Sequence, residues 1–286
     1  MPESSPFHKP QVRPNRLNLP HLKNADYDYV SDMVKRSGLS MTQCPTCRSR
    51  EWHHVDGDTY GWTNGTYRLN GQDNPCDCET QISLRNHYLL ANIGDQYMRL
   101  NWDEFTGSEA ARDAVRLYLD RWASAKAGGM GIEFSSPNLG VGKTFAATHI
   151  GKELVKRGEA VFFLPFLEVI GLLSKDNDYR NDQEARLRDT TVLILDEVVP
   201  AISVAQNQLF ASKFEELIRY RTNFNRVTIM TTNLTPDQLR SEYPRTYSLL
   251  EAKQIRVEMT GNDARQGVRS DKNLELFIAE EIEPIT

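Results

Sequence analysis

Residues 136–144, Ser-Pro-Asn-Leu-Gly-Val-Gly-Lys-Thr, are the sharpest chemical feature of this sequence. They match the pattern G-x-x-x-x-G-K-[ST], except that Pro137 stands where the first glycine would be. Holding a phosphate needs backbone N–H groups turned toward its oxygens, and Gly140 and Gly142 permit that close approach. Asn138, Leu139 and Val141 would add their own backbone to the cradle. A helix starting here would offer its positive end to the anion. Lys143 would reach the β- and γ-phosphates, and the Thr144 hydroxyl would ligate Mg²⁺, so the ligand expected is ATP with Mg²⁺. Pro137 removes one N–H, and an altered nucleotide affinity is the expected consequence.

A second feature is the run Thr-Val-Leu-Ile-Leu-Asp-Glu at 191–197, a buried strand ending in two acids. In an open α/β sheet, ligands sit beyond the carboxyl ends of the strands. Asp196 would then face the Mg²⁺, and Glu197 would orient and deprotonate an attacking water. The next apolar strand, 227–231, runs into Thr232 and Asn233, which places Asn233 near the γ-phosphate or the water.

These residues must be held by an alternating scaffold. Ser108 caps a helix whose Ala111, Val115, Tyr118, Leu119 and Trp122 share one face, and Gly128 and Gly129 stop it. Then follow a strand at 131–134, a helix at 143–157, a strand at 160–164 and a helix from about Phe166. After a polar stretch come the strand 191–195, a helix at 205–222 and the strand 227–231. Thr235 and Pro236 are a cap and first-turn pair for one more helix. Strand–helix alternation of this kind implies a parallel sheet covered on both faces.

All four cysteines precede this scaffold. Cys44 and Cys47, then a gap of 28 residues, then Cys76 and Cys78 make a four-thiolate pattern suited to Zn²⁺. Four ligands close the metal's shell, so its role would be structural. His53, His54 or His87 are alternative ligands, and free cysteines or a redox pair are alternative readings. The segment 44–78 reads as a small hairpin-built module, and 81–100 as a partly helical link. Residues 1–25 show no apolar period and read as an arm, with a short helix at 26–38.

Together the stretches LILDE, RYR at 219–221 and VTIMTTNL resemble the AAA+ ATPases. With NIGDQYMRLNWDEFTG at 92–107 and the cysteine pairs, they are similar to the DnaC/DnaI/IstB-like replicative-helicase loaders of bacteria and phages. The resemblance covers about residues 40–260 and implies an AAA+ P-loop NTPase fold preceded by a small zinc-binding module. It divides the chain into an arm at 1–40, a zinc-binding, helicase-interacting module with its link at 41–100, and an ATPase domain at 101–286. It implies an ATPase that docks on a DnaB-type hexameric helicase and contacts single-stranded DNA. It also implies an arginine acting on a neighbouring subunit's ATP, which makes self-assembly an open expectation. Arg245 fits the first arginine of the family pattern, Leu249 occupies the place of the second, and Arg256, Arg265 and Arg269 are the alternatives. The resemblance implies as well an extra helical element after the second strand that lines the DNA path, where Tyr179, Arg180, Arg186 and Arg188 would act, although five acids between 176 and 189 offset their charge.

Composition sets the outer limits. The chain has 286 residues, a net charge of −5 and 39% hydrophobic residues, enough for a sizeable core and too acidic for a wholly basic nucleic-acid coat. Its longest apolar stretch, 160–173, is broken by Pro165 and Glu168 and is too short for a membrane span. The N-terminal residues lack the apolar core of a signal peptide, so a reducing, cytoplasmic location and unpaired thiols are expected. Two other functions fit the same motifs: an IstB-like transposition ATPase, and a helicase adaptor that holds nucleotide without hydrolysing it.

Overall fold

The structure is a computed structural model, and it describes residues 53–55, 58–60, 66–69, 72–75, 78–174, 178–200, 207–261 and 285–286. They fall into two compact units, one drawn from residues 1–90, 94–100 and 268–286, the other from 91–93 and 101–267.

The first unit contains two antiparallel strand pairs within the stretch expected to be built of hairpins. Strand β1 (His53–Val55) pairs with β2 (Asp58–Tyr60), and β3 (Thr66–Leu69) with β4 (Gln72–Pro75). Helix α1 (Cys78–Leu90) and the single turn α2 (Asp95–Met98) follow. Thr286 packs back here: its N–H donates to Met98 O at 3.0 Å and its hydroxyl to Leu100 O at 2.9 Å. The Tyr88 hydroxyl donates to Thr286 O at 2.7 Å. Cys44, Cys47 and Cys76 lie outside the described residues, and Cys78 is the first residue of α1. Among the described residues, no group of three or more His, Cys, Asp or Glu side chains could hold a metal ion.

The second unit is the alternating scaffold. Helices α3 (Glu109–Asp120) and α4 (Trp122–Gly128) lead into β5 (Gly131–Ser135). The sequence suggests one helix here, but the backbone breaks at Arg121 (φ −100°, ψ 18°). Then come α5 (Lys143–Lys156), β6 (Val161–Pro165), α6 (Phe166–Ser174), α7 (Asp178–Asp189) and β7 (Val192–Val198). The unit continues with α8 (Asn207–Asn223), β8 (Val227–Thr232), α9 (Pro236–Glu242), α10 (Pro244–Glu251) and β9 (Gln254–Glu258). The five strands form one fully parallel sheet in the order β6-β7-β8-β5-β9.

Strand alternation assigns the two faces. Leu193 and Leu195 of β7, Phe162 and Leu164 of β6 and Met230 of β8 join one core with Phe166, Val169, Phe214, Leu217 and Leu250 from the helices after β6. Ile194 points the other way, toward α5, so closely that a Cβ at Gly151 would come within 2.6 Å of its Cδ1. Covering both faces explains why β5 and β8 are buried along their whole length, polar residues such as Glu133 and Thr228 included. At the start of α9, Thr235 and Gln238 form a reciprocal capping box, as the Thr-Pro pair suggests. No helix of the described residues is long and apolar enough to cross a membrane.

Two further segments are regular: the polar stretch in which the resemblance implies an extra helical element, and the unassigned residues after Tyr243. The stretch 178–189 is helix α7, and the residues after Tyr243 form α10 and β9. Arg221 holds the first of these. It is fully buried, and its guanidinium donates to Leu187 O at 2.7 Å, Arg188 O at 3.2 Å and Thr190 O at 3.1 Å, the open carbonyls at the end of α7. It also donates to the Thr228 hydroxyl at 3.1 Å and to Val227 O at 2.5 Å, tying α7 and α8 to β8.

Candidate functional site

Because all five strands are parallel, their carboxyl ends share one edge, and the loop 136–142 springs from the inner strand β5 at that edge. Gly140 (φ 72°) and Gly142 (φ 91°) are in backbone conformations that L side chains rarely adopt. Gly142 is the N-cap of α5 and provides no side-chain cap. The Lys143 ammonium donates to Asn138 O at 2.8 Å and Ser136 O at 3.2 Å, folding the loop around its own lysine. Asn138 N–H donates to the Ser136 hydroxyl at 3.2 Å.

The acid on β7 meets this loop directly. The Thr144 hydroxyl donates to Asp196 Oδ1 at 2.9 Å, and the Thr231 hydroxyl donates to the same oxygen at 2.6 Å. Asp196 is only 8% exposed, and burial raises its carboxyl above the ordinary aspartate range, against the two hydroxyl donors that lower it. Thr144 and Asp196 present a hydroxyl and a carboxylate oxygen side by side, a hard-oxygen donor pair that fits Mg²⁺. Glu197, the next residue, is exposed with φ +60°, and its N–H donates to the Thr231 hydroxyl at 2.8 Å. Asn233 is half-buried just past β8, the strand that lies between β7 and β5, so strand order sets it between the acidic pair and the loop. Thr232 fixes that turn by donating to Val198 O at 2.8 Å and accepting from Leu234 N–H at 3.0 Å.

Above the loop sits an aromatic cluster. Phe105 reaches so near Gly142 that a Cβ there would lie 2.9 Å from its ring. Trp102 stacks on Phe105 at 4.4 Å and on His149 at 4.3 Å, and Phe145 lies against Phe105 at 5.6 Å. Arg112 donates to Phe105 O and spreads its guanidinium near both the Trp102 and Phe105 rings. Burial lowers His149 to about 4, so it is neutral at pH 7.

The arginines divide. Arg245 opens α10 with its side chain 82% exposed, and its ion-pair partner is Glu215 of α8 at 3.7 Å. Arg256 is used within the sheet, 3.7 Å from Glu133 Oε2, with its guanidinium over the Tyr247 ring and donating to the Tyr247 hydroxyl. Arg265 and Arg269 lie outside the described residues. Of the proposed DNA-facing side chains, Arg186 lies 4.0 Å over the Phe162 ring, and Arg188 pairs with Glu184 and Glu216. Arg219 pairs with Glu215 at 2.6 Å. Arg221, two residues on along α8, is unavailable to a ligand because its donors are used inside the fold.

Sequence reading did not single out Thr231 or Phe105. The signal for Thr231 was the Thr231–Thr232 pair at the end of the strand, and for Phe105 an aromatic placed before a capped helix.

No family model matches the chain, and no curated protein sequence matches it. Among solved structures it is similar to DnaI, with a TM-score of 0.51 at 19% identity, covering 58% of this chain and 94% of that one. It is also similar to the DnaC helicase loader, with a TM-score of 0.50 at 19% identity, covering 58% of this chain and all (100%) of that one. At this identity the likeness is one of architecture, and with the sheet order and the loop it shows that the chain has the AAA+ P-loop NTPase fold, a parallel five-stranded sheet flanked by helices.

Proposed function

We propose that this protein is an ATP-hydrolysing helicase loader, which docks on a DnaB-type hexameric helicase and helps place it on single-stranded DNA. The observation that carries the ATPase part is the meeting of Thr144 and Asp196 at 2.9 Å beside the lysine-closed loop. Support for the loader part is the architecture shared with the DnaC helicase loader over all of that chain. In this reading the backbone of 138–142 and Lys143 bind the phosphates, and Thr144 and Asp196 would hold Mg²⁺, which neutralises charge on the phosphate oxygens when bound. Glu197 takes the proton of the attacking water, and Asn233 orients that water or the γ-phosphate. Arg245, being exposed, is our candidate for an arginine acting on a neighbouring subunit's nucleotide.

The four cysteines are proposed as a structural zinc site that helps fold the helicase-docking module. Metal analysis of the purified protein is expected to give one zinc per chain, lost on replacing Cys44 and Cys47 with serine.

The deciding experiment is turnover of ATP by the wild-type chain beside Lys143→Ala and Glu197→Gln, with capture of candidate helicases with and without ATP. The reading expects turnover in wild type only, nucleotide binding lost in Lys143→Ala and retained in Glu197→Gln, and ATP-dependent capture of a replicative helicase. Equal turnover in wild type and Glu197→Gln would leave a nucleotide-holding adaptor. Capture of a transposase instead would favour the IstB-like role.

A further inference from the structure

Strands β7 and β8 pair in step as far as Leu195 with Met230, then pair again at Val198 with Thr232. Two residues of β7, Asp196 and Glu197, therefore face the single residue Thr231 of β8. This is a β-bulge, a device that bends a strand and re-aims a side chain. Its second residue, Glu197, has φ +60°, a conformation uncommon for a residue with a side chain.

A bulge leaves a backbone group out of the ladder, and here the Thr231 side chain replaces the missing partner. Its hydroxyl accepts the Glu197 N–H at 2.8 Å and gives its own proton to Asp196 Oδ1 at 2.6 Å. One hydroxyl thus spends its donor on one acid and a lone pair on the backbone of the other. Thr231 is 1% exposed, so water is poorly placed to substitute for it. Along β7 every residue from Val192 to Val198 is buried except Glu197, which the bulge turns outward at the carboxyl edge of the sheet.

We propose that Thr231 is a positioning residue for ATP hydrolysis: its hydroxyl holds the bulge that presents Glu197 as the base while it fixes the carboxylate of Asp196. This rests on the ATPase reading above. It predicts a defect in the chemical step larger than any in nucleotide binding, because Lys143 and the backbone of 138–142 bind the phosphates apart from the bulge and Thr144 still donates to Asp196.

The test compares Thr231→Val, which keeps the shape and deletes the hydroxyl, with Thr231→Ser, which keeps the hydroxyl. Steady-state ATP turnover and the affinity for a fluorescent ATP analogue with Mg²⁺ are measured beside wild type and Glu197→Gln. Thr231→Val is expected to lose about 10- to 100-fold in kcat, as a misplaced catalytic group does. KM and analogue affinity should change by less than about threefold, and Thr231→Ser should return kcat to within about threefold of wild type. If valine prevents folding, Thr231→Ala with turnover counted per nucleotide-binding site gives the same comparison. A kcat for the hydroxyl-free variant within about twofold of wild type overturns the proposal. So does an equal loss in the serine variant, or a fall in affinity parallel to kcat. Those results leave the ATPase reading standing, whereas a wild type no faster than Glu197→Gln removes that reading and this inference with it.

Discussion

The Thr144 hydroxyl and the Asp196 carboxylate meet at 2.9 Å across 52 positions of sequence. One residue lies in the first turn of the helix after β5, the other within β7 two residues before its end, and β8 lies between those strands. The contact therefore needs the register of three strands at once, with Thr231 of the middle strand completing it at 2.6 Å. A carboxylate held this deep is there at a cost in stability, since burial raises its pKa.

Replacing that carboxylate should separate stability from function. The unfolded chain ionises Asp196 near 3.8, and the folded chain only at higher pH. The folded state thus holds the proton more tightly, and the cost of ionisation grows as pH rises through that window, complete above it. Asp196→Asn keeps an acceptor for Thr144 and Thr231 without the charge. In thermal melts at pH 7 without nucleotide it should be more stable than wild type by about 0.5–2 kcal/mol. With Mg²⁺ and ATP at saturation, wild type should gain about 2–3 kcal/mol and the variant much less. An equal gain in both would argue against Asp196 as a metal-side residue.

Lys152 gives a pH dependence of opposite sense. It is 2% exposed on α5, and burial first, then Lys156, lower its pKa from 10.5 to about 7, with Glu153 and Glu104 pulling the other way. The unfolded chain keeps its proton to pH 10.5 while the folded chain gives it up near 7. Between these values the unfolded state binds more protons, so stability rises with pH. Lys152→Met should be more stable than wild type at pH 7 by roughly 1 kcal/mol or more, with the difference shrinking toward pH 10. Melts of both proteins from pH 6.5 to 10 test this, and parallel curves would contradict it.

Gly142 is constrained twice, by its φ of 91° and by the Phe105 ring 2.9 Å from where a Cβ would sit. Gly142→Ala should cost about 1–3 kcal/mol from the backbone alone and weaken ATP binding. Adding Phe105→Leu should recover only the part due to the ring contact. The difference is read from a double-mutant cycle in chemical denaturation. Full recovery in the double variant would mean that the ring, not the backbone, is the constraint.

The elements that position the site were legible because apolar runs and turn residues are local signals. The expected strands at 131–134, 160–164, 191–195 and 227–231 differ from the observed ones by a few residues at the ends. The loop 136–144 and the acids Asp196 and Glu197 were legible for the same reason, since each carries its chemistry in consecutive residues. Thr231 was not, because its importance lies in facing a bulge, and a bulge belongs to the pairing of two strands rather than to either sequence. Helix α7 was implied by the family resemblance and not by composition: its polar residues look like a loop until Arg221, 31 to 34 positions away, reaches the carbonyls at its end.

That last relation makes Arg221 a test of whether a basic residue near a proposed DNA path contacts DNA or holds the fold. A guanidinium with five donors matches the fan of oxygens from Leu187, Arg188, Thr190, Val227 and Thr228, and an ammonium does not. Arg221→Lys should therefore destabilise the protein by about 2–4 kcal/mol, despite keeping the charge, because several buried carbonyls lose their donor. Arg221→Met should cost at least as much, since it removes every donor at once. The DNA measurement should be insensitive to both. In a titration of single-stranded DNA, each phosphate contact removed lowers the slope of log affinity against log salt by about 0.7. Variants at Arg221, studied at a temperature where they stay folded, should leave that slope unchanged. A flatter slope with unaltered melting would show that the side chain reaches phosphate and that the buried arrangement is not the one acting in solution.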